Sequence, residues 1–240
     1  MKLNKITKNR TPRSAPSGTR GTERRSYDDA CAAAHALDLV GERWALLVMR
    51  ELMFGPRRFS ELRTALPGIS ANTLDQRLEG LERSGIVQRR KLPPPASVQV
   101  YELTAWGYEA EPVFVALGRW GARSPLHDPA LPVSTNSILL SFRTMFDPAR
   151  AGTATACIGL RLGDEEFMAR ISKGSIDVGR SALDGADAVI TAPAATAIAA
   201  AVYGGIPLRT LEDSGALSVT GNRRFVERFV TWFTLPDKAV

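Results

Sequence analysis

The chain has 240 residues, 44% of them hydrophobic and 23% charged, which suits a globular protein with one large core or two ordinary ones. No apolar run approaches the length of a membrane span, so the expectation is a protein of the cytoplasm with no membrane partner. The formal charge of +6 does not point to nucleic acid by itself, because residues 1–25 hold eight Lys/Arg against one Glu, while residues 26–130 hold twelve against thirteen and residues 131–240 eleven against eleven.

The head, residues 1–26, is rich in Lys, Arg, Ser, Thr and Pro and has almost nothing to bury, so it reads as a disordered basic tail. After Asp38, a plausible helix cap, Val40, Trp44, Leu47, Val48 and Leu52 recur at helical spacing and predict one apolar face, ended by Gly55 and Pro56. Residues 59–66 (FSELRTAL) predict a second short helix with Leu62 and Leu66 inward, stopped by Pro67-Gly68. Ser70 then caps a third helix whose buried side is Leu74, Leu78 and Leu81, closed by Gly85.

Two helices joined by a tight turn are a helix-turn-helix arrangement, whose second helix enters the major groove. If the three leucines face the core, Asn72, Thr73, Gln76 and Arg77 face outward. Asn and Gln can pair bidentately with adenine and Arg with guanine, and Ser70 at the positive end of the helix suits a phosphate. Residues 57–91 hold eight basic residues against four acidic, and Arg58 joins the DNA contacts on that ground. Residues 86–92 predict a strand, 93–97 a turn and 98–103 a returning strand. This hairpin is a wing, and its Arg89, Arg90 and Lys91 would displace counterions from the duplex.

The residues around these elements, among them Leu39-Val40-Gly41-Glu42-Arg43-Trp44, Gly55-Pro56-Arg57-Arg58-Phe59-Ser60-Glu61-Leu62, Leu66-Pro67-Gly68-Ile69-Ser70, Gln76-Arg77-Leu78 and Tyr101-Glu102-Leu103-Thr104, closely resemble the HxlR family of bacterial winged-helix regulators. The resemblance covers residues 27–123 and implies a homodimer bound to a double-stranded DNA operator of two-fold character, usually as a repressor. The wing departs from the family pattern: its tip, Pro93-Pro94-Pro95-Ala96-Ser97, lacks the expected Arg. Cys31 occupies the position of the cysteine used by redox-sensing members, and a redox regulator is therefore an alternative reading. On the residues alone, Asp28 and Asp29 should raise its pKa.

Beyond the wing, Val113, Leu117 and Trp120 make an i, i+4, i+7 stripe on a helix that Pro112 can open. With the three-helix core already accounted for, that terminal helix has little left to pack on except a second copy, so the stripe is assigned to dimerisation. Residues 124–135 hold three prolines and no periodicity and read as a linker.

Residues 136–240 form a second α+β domain. A helix over 137–146 precedes an alternating strand at 154–162, further strands at 167–171, 176–178 and 187–191, and helices at 194–202 and 222–233. With the Gly204-Gly205-Ile206-Pro207-Leu208 segment, this order resembles the sterol carrier protein type-two fold, which implies an apolar tunnel and an apolar small-molecule effector. Phe225, Phe229, Trp232 and Phe233 either line that tunnel or fill a core. A lipophile carrier that keeps the winged helix for protein contacts is a further alternative.

The fold class is thus α+β, a winged helix-turn-helix with a terminal dimerisation helix followed by an α+β domain of sterol-carrier type. There is no phosphate loop, dinucleotide fingerprint, metalloprotease helix or nucleophile elbow. Two cysteines and two histidines give no metal site and no ready acid-base pair, so neither enzyme activity nor a cofactor is expected.

Overall fold

The computed structural model describes residues 26–240; apart from Ser26, the basic tail expected over residues 1–26 lies outside them. Helix α1 (Ala32–Val40) ends at Gly41, and α2 (Ala45–Leu52) starts after Trp44. Trp44 sits in the left-handed region at φ 78°. That turn breaks the single helical face expected from Val40 to Leu52 into two. Asp38 does not cap α2: it lies inside α1, where its carboxylate accepts from the Tyr27 N–H at 3.1 Å and from Ser26 Oγ at 3.3 Å. Leu47 is on the outer side of α2, while Val48, Met49 and Leu52 are buried.

Helix α3 (Phe59–Ala65) and helix α4 (Ala71–Arg83) follow as expected. The Glu61 carboxylate accepts from the Arg58 N–H at 2.7 Å, placing negative charge at the positive end of α3. Ser70 Oγ accepts from the Thr73 N–H at 3.1 Å and so caps α4. Leu74, Leu78 and Leu81 are buried, and Gly85 closes the helix at φ 71°, a conformation with no steric cost for glycine.

Strands β1 (Val87–Lys91) and β2 (Gln99–Leu103) form the antiparallel wing, with Val87 opposite Leu103 and Lys91 opposite Gln99. Helix α5 (Ala105–Tyr108) is capped by Thr104 and leads into α6 (Glu111–Ala122). Residues 124–134 contain only turns and bends, after which α7 (Thr135–Met145) begins two residues earlier than its sequence pattern suggested. The reason is Ser134, whose Oγ caps it by accepting from the Ser137 N–H at 3.1 Å.

Helix α8 (Pro148–Ala151) precedes a meander of β3 (Ala156–Leu162), β4 (Glu165–Ser172) and β5 (Ser175–Arg180). Strand β6 (Ala188–Ala192) then pairs parallel to β3, and α9 (Ala195–Val202) and α10 (Leu208–Asp213) lead to β7 (Ser218–Gly221), antiparallel to β6. Helix α11 (Arg223–Phe229) stops four residues short of the expected end. The mixed five-stranded sheet has the order β5-β4-β3-β6-β7.

One apolar core runs without a break from Val48 in α2 to Phe233 beyond α11. Helix α7 makes it continuous. Arg119 Nε donates to the Thr144 carbonyl at 2.7 Å, Arg143 pairs with Glu111 at 2.7 Å, and Gly118 lies so near Thr144 that a Cβ there would come within 3.3 Å of Thr144 Cγ2. Helix α6 therefore has a partner within its own chain, contrary to the expectation that only a second copy was left for it. Its Phe114 and Ala122 are buried, while Val113, Leu117 and Trp120 remain 49%, 44% and 77% exposed.

Charged groups also cross the seam. Arg57 donates to Glu165 at 2.5 and 3.0 Å and to Asn136 Oδ1 at 3.1 Å, and Arg180 pairs with Glu165 and donates to the Phe54 carbonyl at 2.6 Å. The buried Glu51 carboxylate accepts from Arg50 at 2.9 Å and Ser134 Oγ at 2.7 Å, so its burial is compensated. Near the other end, the Lys238 ammonium donates to the carbonyls of Ala122, Ser124 and His127, each at 3.1 Å.

The four aromatic residues singled out near the C-terminus do not surround an open tunnel. Phe229, Trp232 and Phe233 are buried against one another and against Phe142 and Phe146, with ring centroids 4.6–6.0 Å apart; Phe225 is half-buried. Edge-on and tilted packing of this kind fills space. Of the four, Phe233 reaches the edge of an open cleft, whose rim carries the mixed charges of Arg150, Arg209, Glu212 and Arg223.

Candidate nucleic-acid interface

The outer face of α4 is set by its buried one. Because Leu74, Leu78 and Leu81 pack inward, Asn72 and Gln76 stand exposed on the first two turns. Both offer a donor and an acceptor on one planar amide, the pattern that matches the major-groove edge of adenine. Thr73 is half-buried, and its Oγ1 lies 2.8 Å from Ser70 Oγ, so the two hydroxyls complete the helix cap together. Ser70 keeps an exposed position at that end.

Arg77 does not join this face. Its guanidinium turns toward the α1–α2 junction and pairs with Glu42 at 3.2 Å, with Nε buried and without a hydrogen-bond partner. The periodicity that put it outward is sound for its Cβ. A long flexible stem, however, can carry the charge back along the helix.

The wing cations are also partly engaged. Arg89 donates to Glu82 at 2.8 Å and lies over the Tyr101 ring at 5.3 Å. Arg90 makes a two-pronged contact with Glu102, at 2.9 and 2.8 Å, and that contact holds the Glu102 carboxyl below the usual carboxylate range. Lys91 is exposed, as is Arg58, whose Nε stands 3.9 Å from Glu61. The holding carboxylates Glu42, Glu82 and Glu102 escaped the sequence reading. One signal for Glu102 existed: Arg90 lies opposite Val100, so Glu102 is its diagonal neighbour on the same face of the hairpin.

Cys31 is exposed immediately before α1. The backbone N–H groups of Ala34 and Ala33 in the first turn hold its thiol below the ordinary range. This reverses the direction expected from Asp28 and Asp29. The dominant influence is the start of the helix, because amides pointing out of the first turn favour a thiolate.

A three-helix unit with an exposed polar helix, a cap at its positive end and a hairpin beside it defines a winged helix-turn-helix protein. The HxlR-like helix-turn-helix family matches residues 39–127. The HTH-type transcriptional regulator sll1512 of Synechocystis is 42% identical over 92 residues, covering 38% of this chain and 68% of that protein. YodB of Bacillus subtilis, another HTH-type transcriptional regulator, is 39% identical over 85 residues, covering 35% of this chain and 76% of that one. Its solved reduced form aligns with a TM-score of 0.37 at 35% identity, over 41% of this chain and 98% of that structure.

The chain belongs to the HxlR-like helix-turn-helix family. It is a DNA-binding regulator of transcription, and its relatives named above are bacterial regulators. The mixed sheet lies beyond the matched residues. Among the described residues no helix is long and apolar enough to cross a membrane.

Proposed function

We propose that the protein is a homodimeric repressor of the cytoplasm in which residues 27–123 bind an operator and residues 136–240, joined by 124–135, sense an apolar molecule. The exposed pair Asn72 and Gln76 on a capped α4, together with the exposed cations Lys91 on the wing and Arg58 at the start of α3, carries the operator reading. The exposed stripe Val113, Leu117 and Trp120 supports a second copy on α6, since a contiguous apolar patch on a soluble surface marks an interaction site. The sensing part is proposed from the likeness of residues 136–235 to sterol carriers in sequence; the sheet itself is a mixed five-stranded one in the order β5-β4-β3-β6-β7.

Binding to the chain's own upstream DNA tests this reading. Affinity should fall steeply with salt, because each neutralised phosphate releases counterions. Asn72→Ala and Gln76→Ala should each weaken specific binding by about 1–3 kcal/mol while leaving non-specific binding unchanged. Arg77→Met, removing a guanidinium already committed to Glu42, should cost much less than either. Binding indifferent to salt and to both amide substitutions would overturn the proposal.

A second reading, control through Cys31, is favoured by the exposure of that thiol and the amides that lower it. Oxidation or alkylation there would act at the start of α1, the helix whose far end leads to the Glu42 that holds Arg77.

A further inference from the structure

Between the winged helix and helices α7 and α9 lies a cavity of about 400 Å³. Its walls come from both parts of the chain: Leu46 and Leu47 of α2, Leu117 of α6, Leu140 and Ser141 of α7, and Tyr203 at the end of α9. His127 and Pro129 from the segment before α7, together with Leu235, also border it. The Lys238 contacts fasten that border segment through the His127 carbonyl.

The volume is that of a small-molecule site, typically ~300–1,000 Å³, with room for roughly a dozen groups of about 30 Å³ each. A second copy meeting the Val113–Trp120 stripe would lie across α6, whereas this space runs inward to the buried Ile138 and Leu140. Its depth therefore suits a small molecule better than a helix face.

The polar groups narrow the class. The Tyr203 hydroxyl donates to Ser141 Oγ at 2.8 Å, and Ser141 Oγ donates to the Ile138 carbonyl at 2.7 Å. Both protons are committed, so what Tyr203 offers is an acceptor oxygen. The Arg50 guanidinium that borders the cavity is already paired with Glu51 at 2.7 Å, leaving little to compensate a charged ligand.

We infer that this seam binds a neutral, largely apolar small molecule whose single hydroxyl donates to the Tyr203 oxygen. The inference rests on the proposed sensing of an apolar effector and moves its site from Phe225–Phe233 to the seam. Such a ligand touches α2 and α6 on one side and α7 on the other. It therefore favours whichever packing of α6 against α7 fits it better, and Leu117 belongs to both the cavity and the exposed stripe.

The test uses the full chain and a photoreactive diazirine analogue of 1-decanol, with labelled peptides mapped by mass spectrometry. Saturable labelling is expected in the peptides around residues 46–50, 117–122 and 137–145. It should be displaced by 1-decanol better than by methyl decyl ether, which lacks a donor. Tyr203→Phe should erase that preference, and Leu47→Trp, a large side chain at a half-open position, should block labelling.

Labelling of residues 223–233, or labelling that does not saturate, overturns the site; an ether that competes equally overturns the hydroxyl assignment. Operator binding is measured on the same preparation without and with 1-decanol. Loss in the alcohol-free arm counts against the regulator reading alone. A change of about fivefold or more is expected on adding decanol; seam labelling with unchanged operator affinity overturns the sensor reading and keeps the site.

Discussion

Cys31 and Arg77 show how far a side chain's neighbourhood departs from what lies next to it in sequence. For Cys31 the adjacent acids Asp28 and Asp29 are outweighed by two amides of the first helical turn. A lowered thiol pKa means more thiolate at neutral pH, and the thiolate is the reacting species. Alkylation of Cys31 by iodoacetamide should therefore show a pH midpoint below that of N-acetylcysteine measured alongside, with Cys31→Ser as the blank. A midpoint at or above the small thiol would remove the electrostatic basis of a sensing cysteine. The exposed amides Asn72 and Gln76 were legible in sequence because a leucine repeat fixes which face is buried. Arg77 was not, since periodicity places a Cβ and says nothing about where a long charged stem ends.

At the scale of elements, α3, α4 and the wing were readable from leucine spacing, Ser70, Gly85 and the proline-rich turn. The separation of α1 from α2 was not. Val40, Trp44 and Leu52 share a helical period by coincidence, and the left-handed backbone at Trp44 that breaks it leaves no pattern in the sequence. The same limit hid α10 and β7, six and four residues long, too short for a period to emerge. It hid the seam as well, because Arg57 and Glu165 are 108 positions apart and no local pattern links them. Burial alone would raise the Glu165 carboxyl, but the hydrogen bonds and charges of Arg57 and Arg180 outweigh it and hold the group below its ordinary range. A depressed carboxylate stabilises the fold above its unfolded pKa, near ~4.3, and that contribution is lost as pH falls through the folded value. Acid should accordingly loosen the seam before the rest, read as hydrogen exchange at β4 and at the α2–α3 turn. Glu165→Gln should lower unfolding stability by about 2 kcal/mol at neutral pH, since it leaves the half-buried Arg57 with a weaker partner, and should flatten the acid dependence. An unaltered acid profile in the variant would show that the seam draws its strength from elsewhere.

For the whole molecule, the continuous core means that the sheet is packed firmly onto the winged helix instead of trailing from it. The dimer proposal belongs here. Trp120 is 77% exposed, so Trp120→Asp removes little from the fold of a single chain but puts a charge into an interface between copies. Sedimentation should find the wild type as a dimer and Trp120→Asp as a folded monomer, whose melting temperature, unlike that of the wild type, does not rise with protein concentration. Two recognition helices acting together bind half-sites about one helical turn apart, so the monomer should also lose most of its operator affinity. A wild type that sediments as a monomer at micromolar concentration would overturn the assignment of the stripe.

The ammonium of Lys238 meets carbonyls that precede it by 111 to 116 residues. On a ribosome adding about 5–20 residues per second, those carbonyls wait roughly 6–23 seconds for their partner. The winged helix thus leaves the ribosome while the border of the seam is still unfastened. A chain caught partway through synthesis would carry its recognition helix with the proposed effector site still open at one border, so the order of translation sets when that site is completed.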